Sequence, residues 1–179
     1  MRTMALLVRI ILLGLLSLPA FGADKYPLRQ GLHEWPAFGG KLYLVVGTYQ
    51  DSVAFRRTYH FFVKEASDDA WNQVTVLSKK GSSQPTWESA VGADVTLADG
   101  TIVARRDGTY FVVASKQVKG SYHDKGTIEV TWYKLTQAGD DQPDDPAYQF
   151  KPVFTRPYPH SAQTVEDILN KEANLQPKK

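Results

Sequence analysis

Ser121, His123 and Asp124 bring the three residue types of a serine hydrolase within four positions, in the stretch Lys119-Gly120-Ser121-Tyr122-His123-Asp124. A working triad holds the imidazole between hydroxyl and carboxylate in space, and a nucleophile elbow carries a glycine on each side of its serine. Three near neighbours on one polar loop meet neither condition. The stretch therefore reads as a binding loop with no catalytic residue, and the chain as a non-enzyme. Lys119, Gly120, Ser121, Tyr122, His123 and Asp124 are the candidate contact residues, led by Tyr122, whose ring is hard to bury at a loop tip.

Other side chains with chemistry to offer lack the spacing for it. His33, His60, His123 and His160 follow no ligand pattern, and His60, inside a strand-like run, reads as a partly buried hydrogen-bonding residue. Asp140, Asp141, Asp144 and Asp145 supply oxygens of the kind calcium prefers, but Pro143 interrupts them and no alternate-residue loop with a closing glutamate is present. They read as a solvated acidic connection. Trp35, Trp71, Trp87 and Trp132 are the residue type that stacks on sugars, yet in a strand-rich chain they are expected in core and edge packing. The chain has no cysteine, which removes disulfides, thiolate catalysis and cysteine metal sites together. No metal ligand set and no cofactor are expected.

The elements that hold the loop are clearer than the loop. Thr109 to Leu135 has two arms dominated by Val, Ile, Thr, Tyr, Phe and Trp, with Gly120 and Gly126 bracketing the polar turn, the pattern of a hairpin. Further strand-like runs begin at Leu42, Arg57, Trp71, Ala93, Thr101 and Ala147, separated by turn-forming DDAW, KKGSSQP, ADG and RRDG. Along Thr58 to Lys64, Tyr59, Phe61 and Val63 share one face. From Ile128, the set Ile128, Val130 and Trp132 opposes Tyr133 and Leu135, so both faces of that strand are partly covered. Residues 25–40, rich in Pro and Gly, read as an irregular lead-in. After Thr164, the residues Val165, Ile168, Leu169 and Ala173 fall at helical spacing, with Glu166 and Asp167 in the first turn. The last four residues are expected to be disordered. The fold class is all-β, an antiparallel β-sandwich with a short C-terminal α-helix.

Residues 1–22 read as a secretory signal peptide: Arg2 and Arg9, an apolar run from Ile10 to Leu18, and small residues Ala20 and Gly22 at the exit. The apolar run is too short to span a bilayer stably. A single domain over 23–179, exported to the periplasm, is the expected mature form. Of 21 basic and 19 acidic residues, the leader removes Arg2 and Arg9, leaving 19 against 19. A neutral chain without a basic stripe gives no reason to expect nucleic acid as a partner. Roughly 155 residues bury about two-thirds of their unfolded surface, enough for one core without disulfides.

The run from Val91 to Leu135, followed by PAYQFKPVF and TVEDILNKE, resembles the carbapenem intrinsic resistance family of small periplasmic proteins. The shared order is a Gly-Ala-Asp strand, a Gly-Ser-Tyr-x-Asp loop, a Thr-x-Tyr-x-Leu strand, a Tyr-x-Phe strand and a terminal helix. The resemblance implies a fold similar to the periplasmic inhibitors of invertebrate-type lysozyme, an unknown protein or β-lactam as partner, and a possible homodimer. It implies a non-enzymatic binding or protective role; inhibition of a lysozyme, or immunity to a cell-wall-targeting toxin, is the alternative. Two departures stand out. Where the family has an Asn/Asp-rich segment associated with cation binding, this chain has Pro36-Ala37-Phe38-Gly39-Gly40-Lys41, and no cation is expected there. Where the lysozyme inhibitors carry Ser-Gly-x-Tyr, this chain has Lys119-Gly120-Ser121-Tyr122, with a hydrated cation in place of a short hydroxyl.

Overall fold

The computed structural model describes residues 26–50, 55–67, 69–92, 94–139 and 145–175. The leader expected at 1–22 and the tail expected over 176–179 lie outside them. Among the described residues there are eleven strands: β1 (Gly31–Ala37), β2 (Gly40–Gln50), β3 (Phe55–Lys64), β4 (Asn72–Leu77), β5 (Ser83–Gln84), β6 (Thr86–Glu88), β7 (Ala90–Gly92), β8 (Val95–Arg105), β9 (Gly108–Gln117), β10 (Gly126–Gln137) and β11 (Tyr148–Ser161). One helix, α1 (Val165–Ala173), follows.

The β-rich composition and the terminal helix are as the sequence suggests, but the strands do not sort into two facing sheets. They form one sheet in the order β1-β2-β3-β4-β11-β10-β9-β8-β7, which curls as a half-barrel. Its pairing is antiparallel except where β11 runs parallel to β4, Tyr148 beside Val74. The curl is drawn together by the three shortest strands, which follow one another along the chain. β5 pairs with β4, β6 pairs with β3, and β7 pairs with β8, so the segment 83–92 ties the early strands to the late ones. At the middle of this seam the Ser89 amide donates to the Arg57 carbonyl at 2.9 Å, and the Arg57 amide donates to Ser89 Oγ at 2.7 Å.

Period-two patterning explains why the sheet has an inside. Leu42, Leu44 and Val46 of β2, Tyr59, Phe61 and Val63 of β3, and Ile102, Phe111, Leu135 and Phe150 all point into the curl and are buried. The opposite face of β8–β10 is buried as well: Val103, Tyr110, Val112, Ala114, Ile128, Val130 and Trp132 pack with Val165, Ile168 and Leu169 of α1. The two-faced pattern of Ile128 to Leu135 thus has its cause in a helix laid on the back of the sheet. The helix begins where a capping box fits: Thr164 Oγ1 accepts from the Asp167 amide at 3.1 Å, and Asp167 Oδ2 accepts from the Thr164 amide at 3.0 Å. Among the described residues no helix is long and apolar enough to cross a membrane.

Two readings are corrected. Gly31–Ala37, inside the expected irregular lead-in, is the edge strand β1, where Pro36 is tolerated because an edge has an unpaired side. It turns into β2 through Phe38 and Gly39, at φ 48° and 74°, the positive pair of a two-residue hairpin turn. The second correction concerns Ala98-Asp99-Gly100, expected as a turn. It runs straight through the middle of β8, opposite Ser115, Ala114 and Val113 of β9. Turn chemistry is overridden there because Asp99 finds buried partners and Gly100 makes room for an aromatic ring.

Candidate functional site

Along β2 and β3 the inward-facing residues change character toward one end. After Leu44 and Val46, the next inward positions are Thr48 and Gln50, and before Tyr59 they are Arg57 and Phe55. The register sets Thr48 directly opposite Arg57 and Gln50 opposite Phe55. The apolar interior thus opens into a polar mouth, a cleft of about 680 Å³ between these strands and the seam. Ser89, Val91 and Thr96 line its far wall, Gln30 its rim, and Asp99 its floor.

Asp99 is 2% exposed and has four donors. Tyr26 donates its hydroxyl to Oδ2 at 2.5 Å, Arg57 donates Nη1 to Oδ2 at 2.7 Å, Tyr59 donates its hydroxyl to Oδ1, and the Gly100 amide reaches Oδ1 at 2.9 Å. A buried carboxylate persists only when paired and hydrogen-bonded in this way. Burial first, and then the Asp99 charge, raises the pKa of both Tyr26 and Tyr59, keeping the phenols protonated as donors. Burial alone would weaken the Arg57 charge, but Asp99 and Tyr59 outweigh it and hold its pKa above the ordinary value. The Arg57 guanidinium also lies 5.8 Å from the centroid of the Tyr26 ring. Gly100 is required by its neighbour: a Cβ there would lie 2.6 Å from Phe111 Cζ.

The loop singled out by sequence lies elsewhere. Lys119, Gly120, Ser121, Tyr122, His123 and Asp124 are all exposed. Asp124 Oδ2 accepts from the Ser121 amide at 2.9 Å, the Asp124 amide donates to the Ser121 carbonyl at 3.0 Å, and the His123 amide donates to Ser121 Oγ at 3.3 Å. The hydroxyl and carboxylate are thereby used to fold the loop, and among the described residues no hydrogen bond joins the His123 ring to either. Tyr122, 43% exposed, lays one edge of its ring on β7. A Cβ on Gly92 would come within 2.9 Å of Tyr122 Cε2, so the glycine is what admits the ring. Because neighbours along a strand face opposite sides, Val91 meets the cleft while Gly92 carries Tyr122.

The crystal structure of CarG has this fold. It superposes with a TM-score of 0.68 at 22% identity, over 83% of this chain and 94% of that one. No protein-family model matches the chain, and no curated protein does.

The remaining sequence candidates have structural places. Trp35 and Trp132 are buried, Trp87 packs against the inner core, and Trp71, 51% exposed, lies 4.5 Å from Tyr43 between ring centroids. His60 Nδ1 is 3.2 Å from Thr86 Oγ1, pinning β6 to β3 as a half-buried hydrogen-bonding residue. His33 contacts the Arg29 carbonyl through Nε2 at 2.7 Å. His160 is exposed. Asp145 pairs with Lys151 at 2.9 Å, while Asp140, Asp141 and Asp144 lie outside the described residues. Among the described residues no three His, Cys, Asp or Glu side chains gather as a metal site. Arg57 and Asp99 were not foreseen. The available signal was a charged residue two positions before Tyr59, in phase with the inward face of β3.

Proposed function

We propose that the protein is a non-enzymatic periplasmic binding protein of the carbapenem self-resistance type. The observation that carries this reading is the fold it shares with CarG across nearly the whole of that chain. The sequence resemblance to the carbapenem intrinsic resistance family supports it independently. A binding role fits a loop whose Ser121 and Asp124 are committed to backbone contacts and a cleft whose carboxylate is saturated with donors, since neither arrangement leaves a nucleophile beside a base. The test is to titrate a carbapenem with the purified protein and follow its absorbance and its potency against a susceptible strain. Saturable binding and reduced potency at constant β-lactam absorbance are expected; loss of absorbance at a catalytic rate would make it a hydrolase instead.

The exposure of residues 119–124 favours a second reading, inhibition of a cell-wall lysozyme with Tyr122 and Lys119 entering its cleft. Full activity of a lysozyme panel in molar excess of the protein would remove it.

A further inference from the structure

The mouth of the curled sheet combines features that a small anionic ligand requires. Its volume of about 680 Å³ falls in the range of sites that enclose a small organic molecule. Its wall carries the Arg57 guanidinium beside the Asp99 carboxylate, and that carboxylate is occupied by Tyr26, Tyr59 and Arg57 from within the protein. Arg57 is held by these contacts in one orientation, yet 33% of its side chain is accessible. A guanidinium has five N–H donors in a fixed plane that matches a carboxylate, so an arginine anchored on one side and open on the other is preorganised for an incoming anion. Thr48 stands directly across from it, Thr96 and Ser89 add hydroxyls, and Phe55, 65% exposed, offers a ring face at the rim.

We infer that this cleft is a binding site for a small organic carboxylate carrying a compact ring system, with Arg57 receiving the carboxylate and Phe55 the ring. Asp99, Tyr26 and Tyr59 are positioning residues that fix the guanidinium from below. Identifying the ligand with a carbapenem rests on the reading above; the site does not.

The test uses the whole mature protein and two variants that leave the buried network alone. Thr48→Glu places a carboxylate opposite Arg57 from an exposed position, so it occupies the anion position internally. Phe55→Ala removes the rim ring. Calorimetric titration is run with a carbapenem, with its carboxylate methyl ester, and with benzoate as a simple ring carboxylate. The carbapenem is expected to bind wild type saturably, at least tenfold more weakly to Thr48→Glu, and the ester at least tenfold more weakly to wild type. Carbapenem binding that is equal in wild type and both variants overturns the cleft while leaving the self-resistance reading in place. Benzoate binding that is lost in Thr48→Glu, with no carbapenem binding, upholds the cleft and removes the carbapenem. Binding of neither acid overturns both.

Discussion

Two buried carboxylates have nearly the same partners and different consequences. Asp99, in β8 where the curl closes, receives Tyr26, Tyr59 and Arg57; Glu172, at the end of α1, receives Trp132 Nε1 at 2.9 Å, Arg156 Nη1 at 2.7 Å and the Tyr158 hydroxyl. The Glu172 cluster joins a terminal helix to β10 and β11, and its arginine, 43% exposed, lies beside the Phe154 ring on the outer surface. The Asp99 cluster sits where the seam closes, and its arginine lines a cleft. A satisfied buried carboxylate is therefore no sign of function in itself. What distinguishes the Asp99 cluster is that its paired cation lines a cleft.

The largest expected effect breaks the inner cluster. Asp99→Ala strands two buried phenols and leaves the Arg57 guanidinium in the cleft wall without its carboxylate, and should cost about 3–5 kcal/mol in denaturant unfolding. A loss below 1 kcal/mol would mean that the seam holds without it. Glu172→Ala should cost less, about 2–3 kcal/mol, because Arg156 can rehydrate. It should raise hydrogen exchange in α1 while sparing β6 and β7; equal exchange in both would make the clusters one cooperative unit. Gly100→Ala drives a methyl into Phe111 and should cost about 1–3 kcal/mol, with near-ultraviolet aromatic dichroism altered. Thr164→Ala removes the helix cap at about 1 kcal/mol and should leave the cleft unchanged by amide shifts.

Alkaline pH should affect the two faces alike. Burial, and then a carboxylate partner, push Tyr110 on the helix side and Tyr148 inside the curl up to about 12 from an ordinary 10.0. Because the folded values are raised, this stability is fully present below the unfolded pKa and is lost as pH rises through about 12. Phenolate absorbance should show both ionising late, and a titration complete by pH 10 would contradict the burial of both rings.

Strand positions and the helix were readable because period-two and helical spacing are local properties of the chain. Tyr59, Phe61 and Val63 announced the inner face of β3, and Thr164 with Asp167 announced the start of α1. The curl was not readable, since it depends on three strands of two or three residues whose pairing partners are distant in sequence. Asp99-Gly100 misled for a physical reason: the same small polar pair that favours a turn also suits a strand interior, where the carboxylate has partners and a ring needs space. The loop 119–124 drew attention by composition, while the cleft is assembled from residues more than 40 positions apart, such as Arg57 and Asp99.

The most direct test of the account is amide chemical-shift mapping of the mature protein during titration with a carbapenem. Perturbations are expected at Thr48, Arg57, Ser89, Val91 and Thr96 and not around Glu172. Saturable shifts confined to α1 or to residues 119–124, or no shifts at all, would contradict it.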